Sequence, residues 1–121
     1  MEQVRILLVG LPRMVRDMFE HAIGEQPDMA LVGVAERAKL FELTREAEPS
    51  FVIVDAEDDS LPDDCRRLLA ERPSLRVLGV ESRAGRATLF ELRPWRIAIG
   101  AVSPADVVDA IRAAARRPAL R

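Results

Sequence analysis

A single cysteine in 121 residues excludes an internal disulfide, and the lone thiol, Cys65, suits a reducing compartment. The one histidine, His21, has no cysteine or second histidine near it, so the chain offers no histidine-based metal cluster and no serine–histidine pair. There is no glycine-rich phosphate loop. Hydrolase and nucleotide-binding roles are left with little support, and the chain reads as a non-enzyme without a cofactor. No apolar run approaches the roughly 20 residues that a membrane span needs. The first residues, MEQVRILLVG, open on a strand and lack the pattern of a secretory signal, so a cytoplasmic protein is expected. Charge of one sign is also scarce: 18 basic against 20 acidic residues give a net charge of -2. That balance argues against a general nucleic-acid binder. Arg112, Arg116, Arg117 and Arg121 make only a local basic end.

What is present is the profile of one soluble domain over residues 1–121, with 49% hydrophobic and 31% charged residues. Short apolar runs bounded by breakers predict strands at Val4–Val9, Met29–Ala35, Ser50–Asp55, Arg76–Val80 and Trp95–Ile99. Helical spacing falls between them. Met14, Val15, Met18, Phe19, Ala22 and Ile23 form one stripe, with Arg13, Arg16, Asp17, Glu20 and His21 opposite. Leu40, Phe41, Thr44 and Ala47 form a second, and Leu61, Cys65, Leu68 and Leu69 a third, which makes Cys65 a core residue. Ser60 and Ser103, each followed by a proline and an acid three residues on, read as helix caps. Residues 83–94 permit only a short helix built on Leu89, Phe90 and Leu92. Strands alternating with helical stripes give an α/β fold: a flavodoxin-like (βα)5 doubly wound parallel sheet in the order 2-1-3-4-5.

In such a sheet, function sits beyond the carboxyl ends of the strands, at the switch point between strands one and three. Gly10-Leu11 and Asp55 meet there. The acidic run Glu57, Asp58, Asp59 that follows reads as a solvated loop.

The order of the pieces then adds a resemblance. LLVGLPRMVRDMF, PDMALVG, PSFVIVDAE, PSLRVLGVES and SPADVVDAIR, spread from Val4 to Arg116, resemble the receiver domain of two-component response regulators. In size the chain is similar to the chemotaxis-type single-domain regulators, and no DNA-binding effector follows it. The resemblance implies that Asp55 holds the phospho-acceptor position. It also implies partners for that aspartate: an acidic pair for Mg²⁺ where Gly10 and Leu11 stand, a lysine where Gly100 stands, a hydroxyl where Glu81 stands beside Ser82, and an aromatic switch where Ile97 stands. Only the aspartate of that set is in place. A transferring phosphoryl group needs hard oxygen ligands for its metal and a cation on its oxygens. Losing one preorganised donor costs on the order of 10²–10³ in rate.

The expected protein is therefore a pseudo-receiver of bacterial signal transduction with a silent Asp55, no resident metal and no need of Mg²⁺. It would work as a phosphorylation-independent interaction or dimerisation module. The alternative is a working phospho-acceptor in a phosphorelay, rescued by a metal on Glu57, Asp58 or Asp59 and by Arg13, Arg83 or Arg86 as the cation. The resemblance places the partner or homodimer face on helix four, strand five and helix five, with Phe90, Trp95 and Ile97 as its residues; Trp95 reads equally as a core plug over a short fourth helix. Glu81 is expected to point into solvent rather than at Asp55. Membrane partners are not expected, and direct contact with nucleic acid would require an effector domain beyond the arginine-rich end.

Overall fold

The runs ILLV at 6–9 and FVIV at 51–54 contain no polar residue, as a strand covered on both faces requires. In the computed structural model, which describes residues 3–92, 96–101 (backbone only) and 103–116, they form the centre of the sheet. Strand β1 (Val4–Val9) lies parallel to β3 (Phe51–Asp55), with Ile6 opposite Phe51 and Val9 opposite Val54. Strand β2 (Met29–Ala35) pairs with the outer side of β1, and β4 (Arg76–Glu81) with that of β3, both parallel.

Alternate residues feed two cores. Ile6, Leu8, Phe51 and Ile53 face helices α1 (Arg13–Gly24) and α4 (Pro104–Ala115), which contribute Phe19, Ile23, Val107 and Ile111. Leu7, Val9, Val52 and Val54 face α2 (Leu40–Ala47) and α3 (Asp63–Glu71), which contribute Leu40, Cys65, Leu68 and Leu69. Helices cover both faces of the sheet, so the class is α/β. Among the described residues no helix is long and apolar enough to cross a membrane.

Past β4 the chain departs from expectation. Residues 83–94 hold no helix among those described; Arg86–Phe90 form strand β5, antiparallel to β4, and Arg96–Ala101 form β6, antiparallel to β5. The sheet has six strands in the order β2-β1-β3-β4-β5-β6. The sequence RATLF explains it. Ala87 and Leu89 enter one core and Phe90 the other, a period of two rather than 3.6. Gly85 (φ +65°) closes the hairpin, its N–H donating to the Glu81 carbonyl at 2.9 Å. The strand expected beside β4 is thus moved out by one strand spacing, about 4.8 Å.

Two further expectations need correction. Ser103 caps α4, accepting from the Asp106 N–H at 3.1 Å, but Ser60 does not cap α3. Its hydroxyl and N–H both turn to Asp58, and α3 starts at Asp63 after Pro62. In α1, Phe19 and Ile23 are buried, whereas Met14 is 75% and Met18 47% exposed. The apolar stripe of α1 is wider than the strip of helix that the sheet covers.

Candidate functional site

The carboxyl ends of β1, β3 and β4 open on a cleft of about 510 Å³ lined by Pro12, Asp55, Glu57, Glu81, Ser82 and Arg83, among others. Asp55 closes β3 opposite Val80, and the next residue continues the ladder through Ala56 N–H to the Val80 carbonyl at 2.9 Å. The strand therefore delivers a half-buried carboxylate to the rim. The Ser82 hydroxyl donates to Asp55 Oδ1 at 3.2 Å. A hydroxyl therefore stands beside Asp55, on the residue next to Glu81.

Glu81 itself does not point into solvent. It is 4% exposed, and its Oε1 accepts from Arg86 Nη2 at 3.0 Å while Oε2 has no hydrogen-bond partner. The inserted strand is the reason: β5 places Arg86 directly opposite Glu81 in the ladder. Arg86 is consequently committed to Glu81, Arg83 stands exposed on the cleft wall, and Arg13 is an exposed residue of α1.

On the β1 side, Gly10 adopts φ +67°, and its N–H donates to the Ala35 carbonyl at 2.8 Å. Leu11 is buried in the core shared with Phe19 and Ile23. Neither position offers a ligand. An acid at Gly10 would be strained in the left-handed region, and one at Leu11 would enter the apolar core. Glu57, Asp58 and Asp59 are exposed, as a solvated loop should be, and no three His, Cys, Asp or Glu residues among those described are placed to share a metal ion. The residues present do not fit the Mg²⁺ site that the resemblance implies.

One residue escaped sequence reasoning. Arg37, in the 3-10 turn Arg37–Lys39, grips Asp64 with both arms of its guanidinium, Nε to Oδ2 at 2.6 Å and Nη2 to Oδ1 at 2.8 Å. Its Nη1 donates to the backbone carbonyl of Asp55 at 3.1 Å. The hydrogen bonds from Arg37 hold the Asp64 carboxyl below its ordinary range, and Asp64 in turn raises Arg37. Nothing in the stretch ERAK announces this, because the partner lies 27 residues away. Cys65, next to Asp64, is pushed up to about 12 by burial and then by the Asp64 charge, so it stays a thiol at neutral pH and is no nucleophile.

The remaining expected positions do not converge on Asp55. Gly100 lies on β6 opposite Ala87, beyond β5 from the cleft. Ile97 is on the same strand opposite Leu89. Phe90, expected on an interaction face, is instead buried against Val77 in the core under α3, and the helix four of that face is a strand. Trp95, Arg117 and Arg121 lie outside the described residues. His21 is exposed on α1 and pairs with Glu25 at 3.0 Å.

No protein-family model matches the sequence, and no curated protein matches it. The chemistry of the cleft is therefore read from its own groups. It holds a carboxylate with one hydroxyl donor, a second carboxylate locked to an arginine, and the exposed Arg83, while the Arg37 clamp lines a neighbouring pocket on the other side of Asp55. Such a set can hydrogen-bond and attract cations.

Proposed function

We propose that the chain is a degenerate receiver with a flavodoxin-like core, a pseudo-receiver that acts in bacterial signal transduction as a phosphorylation-independent interaction module and not as an enzyme. The parallel order β2-β1-β3-β4, with Asp55 at the carboxyl end of β3, supports the relationship. The observation that carries the loss of chemistry is the state of the β1 end. A left-handed glycine and a core leucine occupy the places of the metal-binding acids, so the dianionic product would have no counter-ion there. Glu81, buried at the β4 end, adds a carboxylate where a phosphoryl group would need donors.

A second reading, phosphorylation of Asp55 within a phosphorelay, is favoured by one contact, the Ser82 hydroxyl on Asp55 Oδ1. Intact-mass measurement after incubation with acetyl phosphate and Mg²⁺, beside an Asp55→Asn control, separates the two. The pseudo-receiver reading expects no adduct in either protein. An adduct on the parent chain that Asp55→Asn abolishes would overturn it and place the domain in a phosphorelay.

A further inference from the structure

The cleft at the carboxyl ends of β3 and β4 holds charged groups that the protein's own contacts do not satisfy. Ser82 engages only Oδ1 of Asp55, and among the described residues no donor reaches Oδ2. Glu81 lines the same cleft, is 4% exposed, and has Arg86 on Oε1 but no hydrogen-bond partner on Oε2. Buried carboxylate oxygens are normally paired, and one without a donor is costly, so Glu81 marks a place where a donor is wanted. Arg83 is the cation on the cleft wall, exposed and without an ion pair among the described residues. Set Asp55, Glu57 and Glu81 against Arg83 and the Arg86 that holds Glu81, and the surroundings carry one net negative charge.

We propose that this cleft binds a small α-amino acid with a cationic side chain. The inference rests on reading Asp55 as silent toward phosphoryl groups, and it gives the same cleft a different ligand. The α-ammonium and the side-chain cation bring N–H donors for the two acids, Asp55 and Glu81, whose oxygens lack them. The α-carboxylate pairs with Arg83, whose planar fork can hold a carboxylate bidentately. A ligand with one net positive charge also balances the charge of the lining. Simpler ligands serve only part of the set. A metal ion would leave Arg83 without a counter-charge, and no three acids among the described residues are placed to share one. A simple anion would answer Arg83 and face three carboxylates. The cleft, about 510 Å³, falls within the roughly 300–1,000 Å³ usual for small-molecule sites, and Pro12, Ala56 and Ala84 give it apolar surface for a methylene chain.

Isothermal titration calorimetry of the whole chain with lysine tests the proposal, beside two analogues. One is 1,5-diaminopentane, which lacks the carboxylate; the other is norleucine, which lacks the side-chain ammonium. Lysine is expected to bind one to one, and each analogue at least about tenfold more weakly, because each leaves a charged group of the cleft without its counterpart. Asp55→Asn, Glu81→Gln and Arg83→Glu should each raise the dissociation constant for lysine by a similar factor. Glu81 is buried, so thermal unfolding must show that Glu81→Gln is folded; Arg83 is exposed, and Arg83→Glu decides the matter even where Glu81→Gln does not fold. No binding of lysine up to tens of millimolar overturns the inference. So does lysine binding that 1,5-diaminopentane equals and Arg83→Glu leaves unchanged, since that is attraction of any cation to an acidic surface. Either failure leaves the pseudo-receiver reading standing, which falls only to an Asp55-dependent phosphoryl adduct.

Discussion

Arg37 touches three separate parts of the chain: its own 3-10 turn after β2, the last carbonyl of β3 and the first turn of α3. A planar guanidinium with donors in a fixed fork can serve a carboxylate bidentately and still spare an N–H for a third acceptor; a lysine ammonium cannot reproduce that geometry. Removing it leaves both the Asp64 carboxylate and the Asp55 carbonyl short of a donor. Hydrogen bonds to charged groups contribute about 1.5–3 kcal/mol when shielded. About a third of the Arg37 side chain is open to water, so we expect Arg37→Ala to cost about 1–2 kcal/mol. Arg37→Lys should recover only part of the loss. A double-mutant cycle with Asp64→Ala, read by urea unfolding, should return a coupling of about 1 kcal/mol. Additive effects would mean that the clamp is a surface pair without structural consequence.

At the scale of elements, the β4–β5 hairpin is the departure that reshapes the site. Its turn depends on Gly85 at φ +65°, a conformation that costs an L-residue about 1–2 kcal/mol. In a helix the same glycine would be a liability, and alanine would improve stability by about 0.5–1 kcal/mol. The sign of one substitution therefore distinguishes the two structures. Gly85→Ala should lower the urea midpoint, and Gly85→Asn, which tolerates the left-handed region, should lower it less. A raised midpoint for Gly85→Ala would point to a helical segment. The hairpin was hard to read because RATLF is short, and its alternation is blurred where Leu89 and Phe90 adjoin as two apolar residues. Strands β1 and β3 were legible because unbroken apolar runs admit few alternatives. Helix α1 was legible as a helix, yet periodicity alone could not tell that Met14 and Met18 lie outside the strip in contact with the sheet.

For the whole molecule, Asp55 could be placed at the rim from the sequence because a strand end is a local property. Its surroundings could not, because Ser82 and Arg37 arrive through tertiary meetings that no local pattern records. The same kind of long-range meeting governs how the fold responds to acid. Arg37–Asp64 ties the turn after β2 to α3. Arg112 ties α4 to the turn between α1 and β2, its Nε and Nη2 donating to Asp28 at 2.9 and 3.0 Å and Nη2 also to Gln26 at 2.9 Å. In both pairs the hydrogen bonds from arginine hold the aspartate below its ordinary value of 3.8. A carboxyl group with a lower pKa folded than unfolded binds more protons in the unfolded chain, so protonation favours unfolding. The stability from these links is therefore complete well above pH 3.8 and is lost as the pH falls through that value toward the lower folded pKa. Urea midpoints measured from pH 7 down to pH 3 should stay level at first and then fall through the acid range. Asp28→Asn with Asp64→Asn should lower the neutral plateau and flatten the acid limb. If the acid limb of the double variant matches that of the parent, other carboxylates carry the acid response, and the two arginine links do not set it.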